Sequence, residues 1–168
     1  MNWKRFLAFS GLVMLAHTVT YFLAGLIFYP LLTKPFYEGP NPIFAVFMRT
    51  PADPAVWAHA VRWFLPAQFL RGFLIAAVLY PFFDALAAWS FRKRWFSIAG
   101  VYVVLGFWAA AVAAPGTIEG MVYLRPIFTA SVHLKVQPEV LFQGLAMGAW
   151  IAGWIGLPPV AAKTGSVA

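Results

Sequence analysis

Hydrophobic positions in this chain gather into long runs rather than alternating with polar ones. The first run extends from about Phe6 to Leu32, the second from about Trp63 to Trp89, the third from about Phe96 to Ala114 and the fourth from about Glu139 to Leu157. Each is near the ~20 apolar residues needed to cross the hydrocarbon layer of a bilayer as a helix. The intervening stretches are broken by proline and carry most of the charge. Residues 33–60 hold Pro35, Pro40, Pro42, Pro51 and Pro54 together with Lys34, Glu38, Arg49 and Asp53; residues 117–138 form a second mixed loop. Asp53-Pro54 reads as an N-cap followed by a first-turn proline, so a helix is expected to start there and to run, kinked at Pro66, into the second span. The segment Pro42 to Met48 is expected to lie along a membrane interface.

These patterns predict an all-α integral membrane protein, a four-transmembrane-helix bundle in a single domain over residues 1–160, with a disordered tail over 161–168. Lys4 and Arg5 ahead of the first run resemble the basic start of a signal peptide. The run is longer than the ~7–15 residues of a signal core and no A-x-A cleavage site follows, so a retained anchor helix is expected. Arg92-Lys93-Arg94, between spans two and three, marks the cytoplasmic side. Four spans then place both termini in the cytoplasm, in agreement with Lys4, Arg5 and Lys163, and leave the two long loops outside. Those loops carry Lys34, Arg49, Arg125 and Lys135, so the charge asymmetry is modest.

Composition agrees. Of 168 residues, 62% are hydrophobic and 10% charged, against about 25% charged in a soluble domain. Mean hydropathy is +0.78. Such a chain cannot cover its surface with polar groups in water. The absence of cysteine excludes disulfides, thiolate nucleophiles and cysteine-ligated metal. The formal charge of +7 comes from residues at segment ends, where they set orientation and meet anionic lipid; no basic run interleaves with aromatics as in a nucleic-acid binder. The expected location is the cell (inner or plasma) membrane, multi-pass.

Within this frame one residue stands out. Arg71 lies inside the second apolar run, and its guanidinium keeps its charge. Burying it in hydrocarbon costs at least about 2.5–3.5 kcal/mol, so it needs a partner, an interface or a wet cavity. Gln68 lies one turn away. Glu119 follows span three, and Glu139 and Gln143 open span four at i and i+4, with Glu139 suited to a helix N-terminus. Gln68, Arg71, Glu119, Glu139 and Gln143 are therefore the candidate polar cluster, either a structural ion pair of Arg71 with Glu119 or Glu139, or a ligand site open to the outside.

A second pattern is a stripe of small residues in span four, Gly144, Gly148, Ala152 and Gly156. In lipid, small residues let helix backbones approach and pack, here either inside the bundle or against another membrane protein or a second copy. Gly106, Ala110 and Ala114 repeat the spacing in span three and suggest a three–four contact.

His17 is deep in span one, on a stripe with Ser10, Met14 and Tyr21. It reads as a hydrogen-bonded structural histidine; haem or chlorophyll ligation is the alternative, with neither His59 nor His133 placed as a second ligand. Asp84 is expected to meet the Arg92-Lys93-Arg94 cluster or water, and lies thirteen residues from Arg71, roughly 20 Å along a helix, with apolar side chains between, which argues against a proton path. No metal site, catalytic motif or cofactor is predicted. Three functions remain open, one of them a membrane enzyme that acts on lipid at the outer leaflet. A second is a non-catalytic membrane subunit or scaffold that packs on other proteins through small-residue faces. The third is a small ligand- or lipid-binding or transport bundle with an outward polar site around Arg71.

Overall fold

A computed structural model describes residues 2–157, which form helices joined by turns and loops, with no strand among them. The predicted tail at 161–168 lies outside the described residues. Helix α1 (Trp3–Phe28) begins where the Asn2 side chain accepts from the Arg5 amide. It passes through π-helical turns at Tyr29–Thr33 into the short α2 (Lys34–Tyr37). Pro30 explains the widened turns: it has no amide to donate and its ring collides with the carbonyl four residues back, so an α-helical register cannot continue through it.

Helix α3 (Pro54–Leu79) starts on Asp53, whose carboxylate accepts from the Ala55 and Val56 amides. The α-helix continues through Pro66 to Leu79. A 3-10 turn at Tyr80–Phe82 leads into α4 (Phe83–Ala88). The two continuous stretches Trp3–Tyr37 and Pro54–Ala88 are each long and apolar enough to cross a membrane.

Helix α5 (Phe91–Gly100) continues as eight π-helical residues, Val101–Trp108. It stops there and not near Ala114, because polar contacts turn the chain. Trp108 Nε1 donates to Gln137 Oε1 at 2.7 Å, Gln137 Nε2 donates to the Gly116 carbonyl at 2.9 Å, and the Gly116 amide donates to His133 Nδ1 at 2.9 Å. Gly116 sits at φ +93°, a conformation open to glycine at little cost. Helix α6 (Ile118–Tyr123) then starts on the Thr117 hydroxyl. Helix α7 (Ala130–Ile155) begins well before Glu139 and takes Pro138 into its interior. An internal proline removes one backbone bond, a loss that apolar helices packed on neighbours tolerate.

Helix α1 packs on α3 and on α7, and α5 packs on α7. The core gathers Phe6, Phe9, Val13 and Ala16 of α1, Ala76 and Leu79 of α3, Ile98 of α5, and Met147, Ile151 and Ala152 of α7. A smaller cluster joins the loops, with Phe44 stacked on Phe128 at 6.4 Å and Val132 beside them. Large apolar side chains face outward along the long helices, among them Leu7, Leu15, Leu26, Val61 and Leu70. Surfaces of that kind are rare on soluble monomers.

Candidate functional site: a polar-ended cavity beside His17

Two close helix contacts set the geometry. A Cβ added at Gly72 of α3 would stand 2.6 Å from the Cα of Met14 in α1. A Cβ at Gly148 of α7 would stand 3.0 Å from the Ala99 amide nitrogen in α5. Small residues thus bring α3 onto α1 and α5 onto α7. The stripe Gly144, Gly148, Ala152 and Gly156 faces inward: Gly144 lies against Val103, Gly148 against Ala99 and Gly156 against the Arg94 guanidinium, and Ala152 is fully buried. The α5 side of this contact is therefore Arg94, Ala99 and Val103. Gly106 turns elsewhere, and Ala110 and Ala114 lie beyond the helix end.

With α3 held on α1 and α5 held on α7, a cavity of about 720 Å³ opens between α3 and the α5–π helix. Leu74, Ile75, Val78 and Leu79 form its α3 wall. Ile98, Val101, Leu105, Gly106 and Phe107 form the opposite wall, five of the π-helical residues counting Tyr102 among its lining. The polar members of the lining are Tyr21, Arg71, Tyr102, Glu139 and Gln143. Arg71 is exposed and Glu139 half-buried. The volume lies within the ~300–1,000 Å³ range of small-molecule sites, as does the character of apolar walls with a few convergent polar groups.

Behind the polar members lies His17, with no exposed surface. Its Nε2 is 3.1 Å from Gln68 Oε1, and Gln143 Nε2 is 3.4 Å from its Nδ1. The neutral tautomer protonated on Nε2 satisfies both contacts, donating to Gln68 and accepting from Gln143. Tyr21 and Tyr102 flank the imidazole, with ring centroids 6.3 and 5.9 Å away.

The five residues of the sequence-derived cluster therefore divide. Arg71, Glu139 and Gln143 share the cavity. Gln68 is buried against His17 and does not line the cavity, whereas Arg71, one turn further along α3, is exposed. Glu119 is on α6 and does not line the cavity. The expected ion pair of Arg71 with Glu119 or Glu139 is not formed: the ion pairs among the described residues are Arg5–Asp84 at 2.8 Å and Lys34–Glu38 at 3.8 Å. Glu139 lies inside α7 and not at a helix start, so no helix N-terminus acts on it.

Asp84 also differs from expectation. Its carboxylate accepts from both terminal nitrogens, Nη1 and Nη2, of Arg5, whose Nε donates to the Tyr80 hydroxyl at 3.3 Å. Packing of α1 on α3 brings the start of one helix beside the end of the other. Arg94, by contrast, donates to the Ala87 carbonyl at 3.1 Å. No group of three or more His, Asp or Glu side chains placed to hold a metal occurs among the described residues.

Sequence reasoning missed four contributors. Tyr21 and Tyr102 were legible as span aromatics but not as cavity lining. Gly72 and Ala76 have the small-x-x-x-small spacing that would have marked the α1 contact. Neither family models, nor curated proteins, nor solved structures match this chain.

Proposed function

We propose that this chain is a multi-pass membrane protein that holds an amphipathic, lipid-like ligand between α3 and α5, with the ligand's polar head at Arg71. The single observation that carries this reading is the cavity itself. Its walls are largely aliphatic, its polar side chains are few, and a permanent cation lines it that makes no ion pair with a carboxylate among the described residues. An Arg left so in a membrane is costly, and such a residue marks a ligand or ion site by default. A ligand anion at Arg71 supplies the missing partner, and its chains take the place of lipid along Leu74, Val78 and Leu105.

The membrane arrangement in this reading is four spans with both termini on the cytoplasmic face of the cell membrane. The apolar outward faces of the long helices and the basic Arg92-Lys93-Arg94 turn support it. The cavity's polar side chains then belong to the outer half of the spans. The reading as a subunit that docks through the small-residue stripe of α7 draws less support, since that stripe is occupied by α5.

The test is purification from the native membrane in a mild detergent, followed by mass spectrometry of what remains bound. Wild-type protein is expected to carry lipid in near-stoichiometric amount, and Arg71→Met to lose most of it while remaining folded. Wild-type protein that carries none, and runs instead in a fixed-ratio complex with another membrane protein, would replace this reading with the subunit one.

A further inference from the structure

The charges in the cavity specify the head group more closely. Its charged lining residues are Arg71 and Glu139, of opposite sign, on different helices and not paired with each other. We infer that the cavity selects a zwitterionic phospholipid bearing a primary ammonium, with the phosphate on Arg71 and the ammonium on Glu139. This rests on the ligand-binding reading above and adds the identity of the head group.

Charge balance between apolar walls decides the head group. A buried or half-buried charge is stable when a counter-charge and hydrogen bonds replace its water. A purely anionic lipid satisfies Arg71 and adds negative charge beside the Glu139 carboxylate. A cationic amphiphile does the reverse. A head group with both charges neutralises both side chains and leaves the complex with no net charge. The neutral hydrogen-bonding groups favour the same ligand. Gln143 turns its amide nitrogen to His17 at 3.4 Å, which leaves its carbonyl as an acceptor for an ammonium N–H. Tyr21 and Tyr102 line the same space, and a tyrosine hydroxyl can donate to a phosphate oxygen. A primary ammonium brings three N–H donors to this acceptor set, whereas a quaternary one brings none.

The experiment uses delipidated full-length protein in detergent with four probes: phosphatidylethanolamine, phosphatidylglycerol, N-acetylated phosphatidylethanolamine of the same chains, and soluble phosphoethanolamine. Occupancy by native mass spectrometry and the shift in unfolding temperature are read for each. Phosphatidylethanolamine is expected to exceed phosphatidylglycerol and the N-acetylated lipid by about tenfold, the ratio given by one charge-assisted hydrogen bond. Glu139→Gln is expected to bring phosphatidylethanolamine and its N-acetylated form to near-equal occupancy, and soluble phosphoethanolamine to compete weakly. Phosphatidylglycerol bound as well as phosphatidylethanolamine would overturn the zwitterion assignment and leave the binding reading standing. Strong binding of soluble phosphoethanolamine would overturn the assignment to a lipid. No retention of any probe would remove both readings. The comparison of lipids on wild-type protein decides the matter without any variant, so a misfolded Glu139→Gln would not leave it open.

Discussion

His17 donates from Nε2 to Gln68 Oε1 across 3.1 Å, joining α1 to α3 in the fully buried interior. Gln143 of α7 completes the arrangement at Nδ1. One imidazole thus ties three helices through two amides. Its surroundings keep it as a hydrogen-bonding group: both ring nitrogens face glutamine side chains, so an axial bond to a haem or chlorophyll metal would require breaking one contact.

Loss of this imidazole should be felt twice. In His17→Leu the buried Gln68 and Gln143 amides lose their shared partner, at about 1–3 kcal/mol for each unsatisfied group. Adding Gln68→Leu to His17→Leu should recover part of that loss, because the orphaned amide is then gone. Thermal unfolding in detergent for the two single variants and the double variant measures the coupling. Strictly additive losses would show that the contact contributes nothing beyond its two side chains.

Backbone approach at Gly72 makes a sharper forecast. A Cβ there would stand 2.6 Å from Met14 Cα, and no rotamer change can relieve a clash with backbone. Gly72→Ala should destabilise by about 1–3 kcal/mol, as overpacking does, and should widen the α1–α3 contact that positions Gln68 against His17. Gly153→Ala has open space at its Cβ among the described residues. It should be neutral or gain up to about 1 kcal/mol from helix propensity. Equal effects at the two sites, measured by unfolding in the same detergent, would contradict this packing.

Topology can be read directly, because the chain has no native cysteine. Arg92→Cys and Arg125→Cys each place a thiol at an exposed position. In intact cells an impermeant maleimide should label Arg125→Cys and spare Arg92→Cys until the membrane is permeabilised. The reverse pattern would invert the orientation, and with it the leaflet that faces the cavity's polar side chains.

Much of the architecture is legible in single side chains. Asp53-Pro54 specifies the start of α3 locally, since a carboxylate can cap the next two amides before any tertiary contact forms. The small-residue spacing of α7 marks a close helix contact for the same reason: absence of a side chain is a property of the residue itself. Helix ends were less legible where the deciding partner lies far away in sequence. The π-helical run ends at Trp108 because Gln137 and His133, on another helix, hold the turn. Asp84 meets Arg5 and not the nearby basic cluster, since helix packing outweighs proximity along the chain.

For the cavity the division is similar. By itself the sequence determined that a permanent cation sits in an apolar segment, that glutamines and carboxylates occur at comparable depth, and that His17 is interior. Those facts follow from hydropathy and spacing along one helix. Only the tertiary structure decided which of these groups share space. Gln68 and Arg71, one turn apart, point to different neighbours, because α1 covers one face of α3 and leaves the next face open. That open face, bounded by α5 held against α7, is what turns a solitary Arg71 into the polar end of a cavity. It also keeps the Glu139 carboxylate and the Arg71 guanidinium in one cavity without letting them meet.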